Sequence, residues 1–117
     1  MEALTQIDLH QISEAVKENY TNLPLNMVND HVIRMGIMTA PFYWHYHPNS
    51  DESFLVLEGV LLIEMEDRII ELSPGQLFTI PTNVLHRTRP QGQRSVNLTF
   101  ELENMQTIKK QPKIIRP

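Results

Sequence analysis

His45-Tyr46-His47-Pro48-Asn49-Ser50-Asp51-Glu52-Ser53-Phe54-Leu55-Val56-Leu57-Glu58-Gly59 carries two imidazoles, a turn, a carboxylate and an apolar run that ends in glycine. In an extended chain alternate residues face one side, so His45 and His47 point together while Trp44 and Tyr46 point away. Pro48 to Asp51 reads as a turn, which lets the following strand bring Glu52 back toward the same place. A third imidazole, His86, comes after Gly75 and Pro81. Three imidazoles and one carboxylate suit one divalent transition metal ion and leave coordination positions open. Asp51 competes with Glu52 for the carboxylate position. The convergence of His86 on the other three is an expectation that spacing alone does not supply.

Outward from this stretch the chain is a series of short β-like runs. Leu25 to Val28 and His31 to Met38 flank Asn29-Asp30, a tight-turn pair. Phe42 to His47, Phe54 to Leu57, Val60 to Met65, Arg68 to Leu72, Leu77 to Ile80, Leu85 to Thr88 and Val96 to Leu102 follow, punctuated by Gly, Pro, Asn and Asp. Before them, Leu9, Ile12, Val16 and Tyr20 fall at helical spacing, with Asp8 as cap and Asn22-Pro24 as stop. The expected organisation is a helical segment over 1–24, a β-barrel over 25–104 and a tail over 105–117. Many short strands with one helix predict an all-β sandwich or barrel.

The 117 residues suffice for one domain, and 41% are apolar, enough for a core. No run approaches the ~20 apolar residues of a membrane span. There is no cysteine, so disulfides and thiolate ligands are excluded. A net charge of −4 argues against nucleic acid as partner, and Lys109, Lys110, Lys113 and Arg116 read as a solvated basic tail. The start of the chain lacks the basic flank and apolar block of a signal peptide, so the expected location is cytoplasmic. His10 and His31 stand outside any constellation and are expected at the surface.

The two histidine stretches resemble the two motifs of the cupin superfamily. For the first motif His45, His47, Glu52 and Gly59 match, while Thr39 stands at the leading glycine. For the second, Gly75, Pro81 and His86 match; Asn83 replaces the middle glycine and Pro90 the final asparagine. Asn tolerates the left-handed backbone that glycine supplies in turns, so Asn83 is a mild departure. The spacing from Glu52 to Gly59 favours Glu52 over Asp51 as the motif carboxylate. The resemblance spans roughly residues 36 to 102 and implies a double-stranded β-helix, or jelly-roll barrel, with one metal ion held by His45, His47, Glu52 and His86. Iron, manganese, nickel, cobalt, copper and zinc all remain open as its identity.

The resemblance also implies a small-molecule ligand and an enzyme, with a mononuclear dioxygenase-like oxidoreductase as the first expectation and Glu52 doubling as proton carrier. A non-catalytic sugar or metabolite binder is the alternative. Parity assigns Tyr43, Phe54 and Val56 to the pocket, with Phe100 on the stripe Val96, Leu98, Phe100 of the last strand. So apolar a wall favours a small or aromatic ligand over a polyphosphate. Arg34, Arg87 and Arg89 are the cations available to an anionic ligand, and each is expected at the surface. Trp44, Tyr46, Leu55, Leu57 and Leu62 alternate to the opposite face, too much apolar surface for water, and predict a homodimer.

Overall fold

The structure, a computed structural model, describes residues 1–114; Arg116, counted above among the basic residues of the tail, lies outside them. It is a two-sheet all-β barrel with one short helix. In chain order come α1 (Leu9–Ala15), β1 (Tyr20–Val28), β2 (His31–Met38), β3 (His45–Tyr46) and β4 (Glu52–Glu58). Then follow β5 (Leu61–Met65), β6 (Ile69–Leu72), β7 (Leu77–Ile80), β8 (His86–Pro90), β9 (Ser95–Leu102) and β10 (Ile108–Lys109). The first sheet has the order β1-β2-β9-β4-β7 and the second β10-β3-β8-β5-β6, with antiparallel pairing throughout.

Local chemistry explains the punctuation. β1 and β2 form a hairpin in which Val28 pairs with His31, and Asn29 takes a φ of +54° in the two-residue turn. Gly59 follows β4 at φ +72°, and a Cβ there would lie 2.2 Å from the Arg94 carbonyl oxygen, so no other residue fits. Asn83 adopts φ +67°, the left-handed conformation expected of it, and its N–H donates to the His47 carbonyl at 2.9 Å. The loop before His86 is thereby tied to the H-x-H segment.

Both ends of the barrel differ from the expected boundaries. Asp8 caps α1 by accepting from the Gln11 N–H, but the helix ends at Ala15 rather than near Tyr20. Tyr20 instead opens β1, opposite Met38, because sheet pairing outweighs the helical spacing of one aromatic. Pro24 is accommodated inside β1, where the strand lies at the sheet edge and the register shifts between Pro24 and Asn26. At the other end β10 pairs with β3, so Ile108 and Lys109 belong to the second sheet rather than to a free tail.

Two apolar clusters divide the interior. Between the sheets lie Met38, Phe54 and Val56 from the first and Leu61, Ile63 and Leu72 from the second. On the outside of the first sheet, Leu25, Met35, Ile37, Val96 and Leu98 are roofed by Leu9 and Ile12 of the helix and by Val16 at its C-cap. Leu55 and Leu57 join this second cluster, whereas Leu62 lies on the second sheet. The five residues expected to form one dimer face are therefore split between two sheets. No described helix is long and apolar enough to cross a membrane.

Candidate metal centre

His45, His47 and His86 come from the second sheet and the segment that leaves it; Glu52 opens β4 of the first. His45 is directly opposite His86 across the β3–β8 pair, and His47 follows two residues later on the same face. Glu52 reaches across from the facing sheet. All four are buried, and one ligand atom from each lies within 4.8 Å of the others. Glu52 Oε1 stands 3.2 Å from His47 Nε2 and 3.5 Å from His86 Nε2. Asp51 is exposed and accepts from the Thr82 N–H instead, so the carboxylate of the cluster is Glu52.

The back of each ring decides what the front can do. His45 Nδ1 is 2.7 Å from the Tyr43 carbonyl, His47 Nδ1 is 2.9 Å from that of Gln106, and His86 Nδ1 is 2.9 Å from that of Val84. A carbonyl only accepts, so each Nδ1 carries the hydrogen and each neutral ring turns a lone pair on Nε2 toward the centre. Three lone pairs and a carboxylate thus converge in a buried space, and His47 Nε2, Glu52 Oε1 and His86 Nε2 have no hydrogen-bond partner. Four acceptors without a donor call for a cation, and imidazole nitrogens with a carboxylate oxygen are donors for a divalent transition metal. The residues present fit the ion that the sequence implies.

The electrostatics divide the rings. Burial lowers the His45 pKa to about 4, keeping that ring neutral and able to ligate at ordinary pH. Burial pulls His47 down as well, but Glu52 outweighs it and raises the net value. Burial pushes Glu52 up, and His47 and His86 overcome this to hold the carboxyl well below the usual range. Glu52 is thus anionic, as a ligand must be.

The cluster opens on a cavity of about 240 Å³. Tyr20, Phe42 and Tyr43 stand at its side, Tyr20 stacked on Phe42 at 5.1 Å and Tyr43 edge-on to His45 at 5.4 Å. Of the residues expected to line the pocket, Tyr43 and Phe54 do so, and Val56 and Phe100 do not. Val56 is in the core between the sheets, and Phe100 packs with Val96 and Leu98 under the helix. The parity of β9 is the reverse of that expected: Asn97, Thr99 and Glu101 face the cavity.

The wall is consequently polar, with Arg34 and Asn22 opposite the metal ligands' sheet. Arg34 pairs with Glu101 at 3.2 Å, while Arg87 and Arg89 face outward and clamp Glu64. His10 and His31 are exposed, paired with Glu14 and Asp30. The signal that could have exposed Asn97, Thr99 and Glu101 is their own period of two, a polar row alternating with the apolar one.

Comparison with known proteins gives the same picture. The sequence model of the family described as "Cupin domain" matches residues 34–100. An uncharacterised Bacillus subtilis protein, YdbB, is 41% identical over 102 residues, covering 86% of this chain and 89% of its own. Among solved structures, a cupin-2 domain containing protein from Shewanella frigidimarina superposes with a TM-score of 0.78 at 25% identity, over 83% of this chain and 94% of that one. The DMSP lyase DddQ from Ruegeria pomeroyi superposes at 0.69 with 19% identity, over 81% of this chain and 53% of that one, a likeness of fold alone.

Proposed function

This chain belongs to the cupin domain family, and we propose that it is a mononuclear metal-dependent enzyme that acts on a small metabolite bound beside the ion. The observation that carries the reading is the set of three imidazoles, each held through Nδ1 by a backbone carbonyl, aimed with Glu52 at one buried point that opens on a cavity. An ion bound there supplies a Lewis acid, and a redox centre when it is iron, manganese or copper. The protein supplies the rest. The carbonyls of Tyr43, Val84 and Gln106 fix ring orientation and tautomer. Met38 and Phe54 exclude water from part of the cavity, and Tyr20, Phe42 and Tyr43 give one side of it an aromatic edge. Glu52, within 3.5 Å of two rings, is the group placed to take or return a proton when a substrate displaces it.

Within this reading the first reaction class is a dioxygenase-like oxidation. Metal analysis of the purified protein beside His45→Ala and His86→Ala tests the site, with near-stoichiometric metal expected in the parent and a loss of at least tenfold in affinity in each variant. Unchanged metal content in both variants overturns it. Oxygen uptake by the iron-loaded protein against catechols, diketones and hydroxy acids tests the class. Turnover without oxygen consumption reassigns the metal to Lewis-acid chemistry, and tight binding without turnover makes the chain a metabolite-binding module.

A further inference from the structure

The cavity wall that faces the histidines carries a row of buried polar side chains. Its residues come from adjacent strands of the first sheet in tight register: Arg34 lies opposite Thr99, and Gly36 opposite Asn97. Gly36 makes room for the amide, since a Cβ there would meet Asn97 Oδ1 at 3.2 Å. Along β4 and β9, Ser53 pairs with Phe100 and Phe54 with Thr99, so the next step of the register brings Glu101 beside Glu52. Asn97, Thr99 and Glu101 are each at most 5% exposed.

These groups are not satisfied by one another. Glu101 Oε2 takes the Arg34 ion pair, but Glu101 Oε1 has no hydrogen-bond partner. Burial and the neighbouring Glu52 carboxylate push the Glu101 carboxyl up to about 7, against the weaker pull of the Thr99 hydroxyl beside it, and Thr99 Oγ1 completes no hydrogen bond. Buried polar atoms of this kind are ordinarily paired, and both belong to residues that line the cavity. The Glu101 carboxyl accepts when ionised and donates when protonated, and the hydroxyl of Thr99 and the amide of Asn97 both donate and accept. A ligand hydroxyl answers all three. An ammonium only donates, so it leaves the Thr99 and Asn97 donors without a partner, and Arg34 already offsets the carboxylate's charge.

We propose that Asn97, Thr99 and Glu101, with Arg34 holding Glu101 in place, bind the distal hydroxyls of a small polyhydroxy acid whose carboxylate end reaches the metal ligands. The inference rests on the metal reading above for that carboxylate end and adds the class of molecule at the other. A cavity of 240 Å³ corresponds to about eight waters, which suits an acid of roughly four to six carbons.

The test is calorimetric titration of the manganese-loaded protein with 2,3,4-trihydroxybutanoate (both diastereomers), 2-hydroxybutanoate and 4-amino-2-hydroxybutanoate. All three present the same chelating end and differ only beyond it. At least tenfold tighter binding of one trihydroxy diastereomer than of 2-hydroxybutanoate is expected. Thr99→Val, nearly isosteric, should remove most of that gap and leave affinity for 2-hydroxybutanoate and the metal content unchanged. Glu101→Gln serves as the second variant should Thr99→Val fold poorly.

Equal affinity for the hydroxylated and plain acids, a gap that survives in both variants, or preference for the amino acid overturns the proposal. Metal content measured on the same samples keeps the two readings apart. Protein that takes up no manganese yet still prefers the trihydroxy acid overturns manganese as the partner of the acid's carboxylate end and supports this subsite.

Discussion

At the scale of single residues, one carboxylate outside the cavity shows how the barrel tolerates buried charge. Glu64 is 3% exposed on the outer side of β5, and the Nε groups of Arg87 and Arg89 donate to its two oxygens at 2.6 and 2.9 Å. Arg87 in turn lies over the Trp44 ring, 5.3 Å from its centroid. Burial pushes the Glu64 pKa up, and the two guanidinium groups outweigh it and lower the net value. A carboxyl depressed in the folded state stabilises above its ordinary value of 4.5, and that contribution is lost as pH falls through the depressed value. Glu64→Gln should therefore cost about 2 kcal/mol at pH 7, since both arginines keep access to water. The deficit should shrink in acid, and urea unfolding of parent and variant from pH 7 to pH 3 measures it. A deficit that stays constant across this range refutes the assignment.

At the scale of elements, the shortest strand has the largest reach. β10 is two residues long, yet the segment that leads into it places the Gln106 carbonyl on His47 Nδ1, with Thr107 Oγ1 at 3.2 Å from the same nitrogen. Asn49 pins that segment from both sides, donating to the Asn104 carbonyl and accepting from the Gln106 N–H. A chain ending at Asn104 should lose β10, keep the pairing of the other strands and bind metal ten- to a hundredfold more weakly, as read by competition with a chelating dye. Unchanged affinity would show that His47 needs no such support.

Nothing in the composition of residues 105–114 announces this role, because a backbone carbonyl carries no sequence signature. His45, His47 and Glu52 were legible because rare side chains at strict alternation leave few arrangements. The orientation of β9 is hidden in the sequence for a related reason. Val96, Leu98 and Phe100 form an apolar stripe, and an apolar stripe marks a covered face without saying which cover is the barrel and which the helix. Here α1 covers it, and the polar row faces inward.

For the whole molecule, the split from Leu55 and Leu57 gathers Trp44, Tyr46 and Leu62 on the outer face of the second sheet. Ile69 and Ile108 are 43% and 41% exposed, Ile69 sharing the face of Glu64 and Ile108 that of Tyr46. A homodimer through this face is the assembly we propose, and sedimentation velocity at micromolar concentration should return twice the mass of the chain. A monomeric mass would assign those isoleucines to ordinary surface. The all-antiparallel, long-range pairing also implies folding in milliseconds to seconds rather than microseconds.

Three ligand rings stand on one sheet and the fourth ligand on the other. An ion seated among them is a rivet through the barrel, stabilising the folded chain by mass action in proportion to the logarithm of its free concentration. Its loading then acts as a bond between the two sheets, so metal supply and the cohesion of the barrel become one thermodynamic quantity.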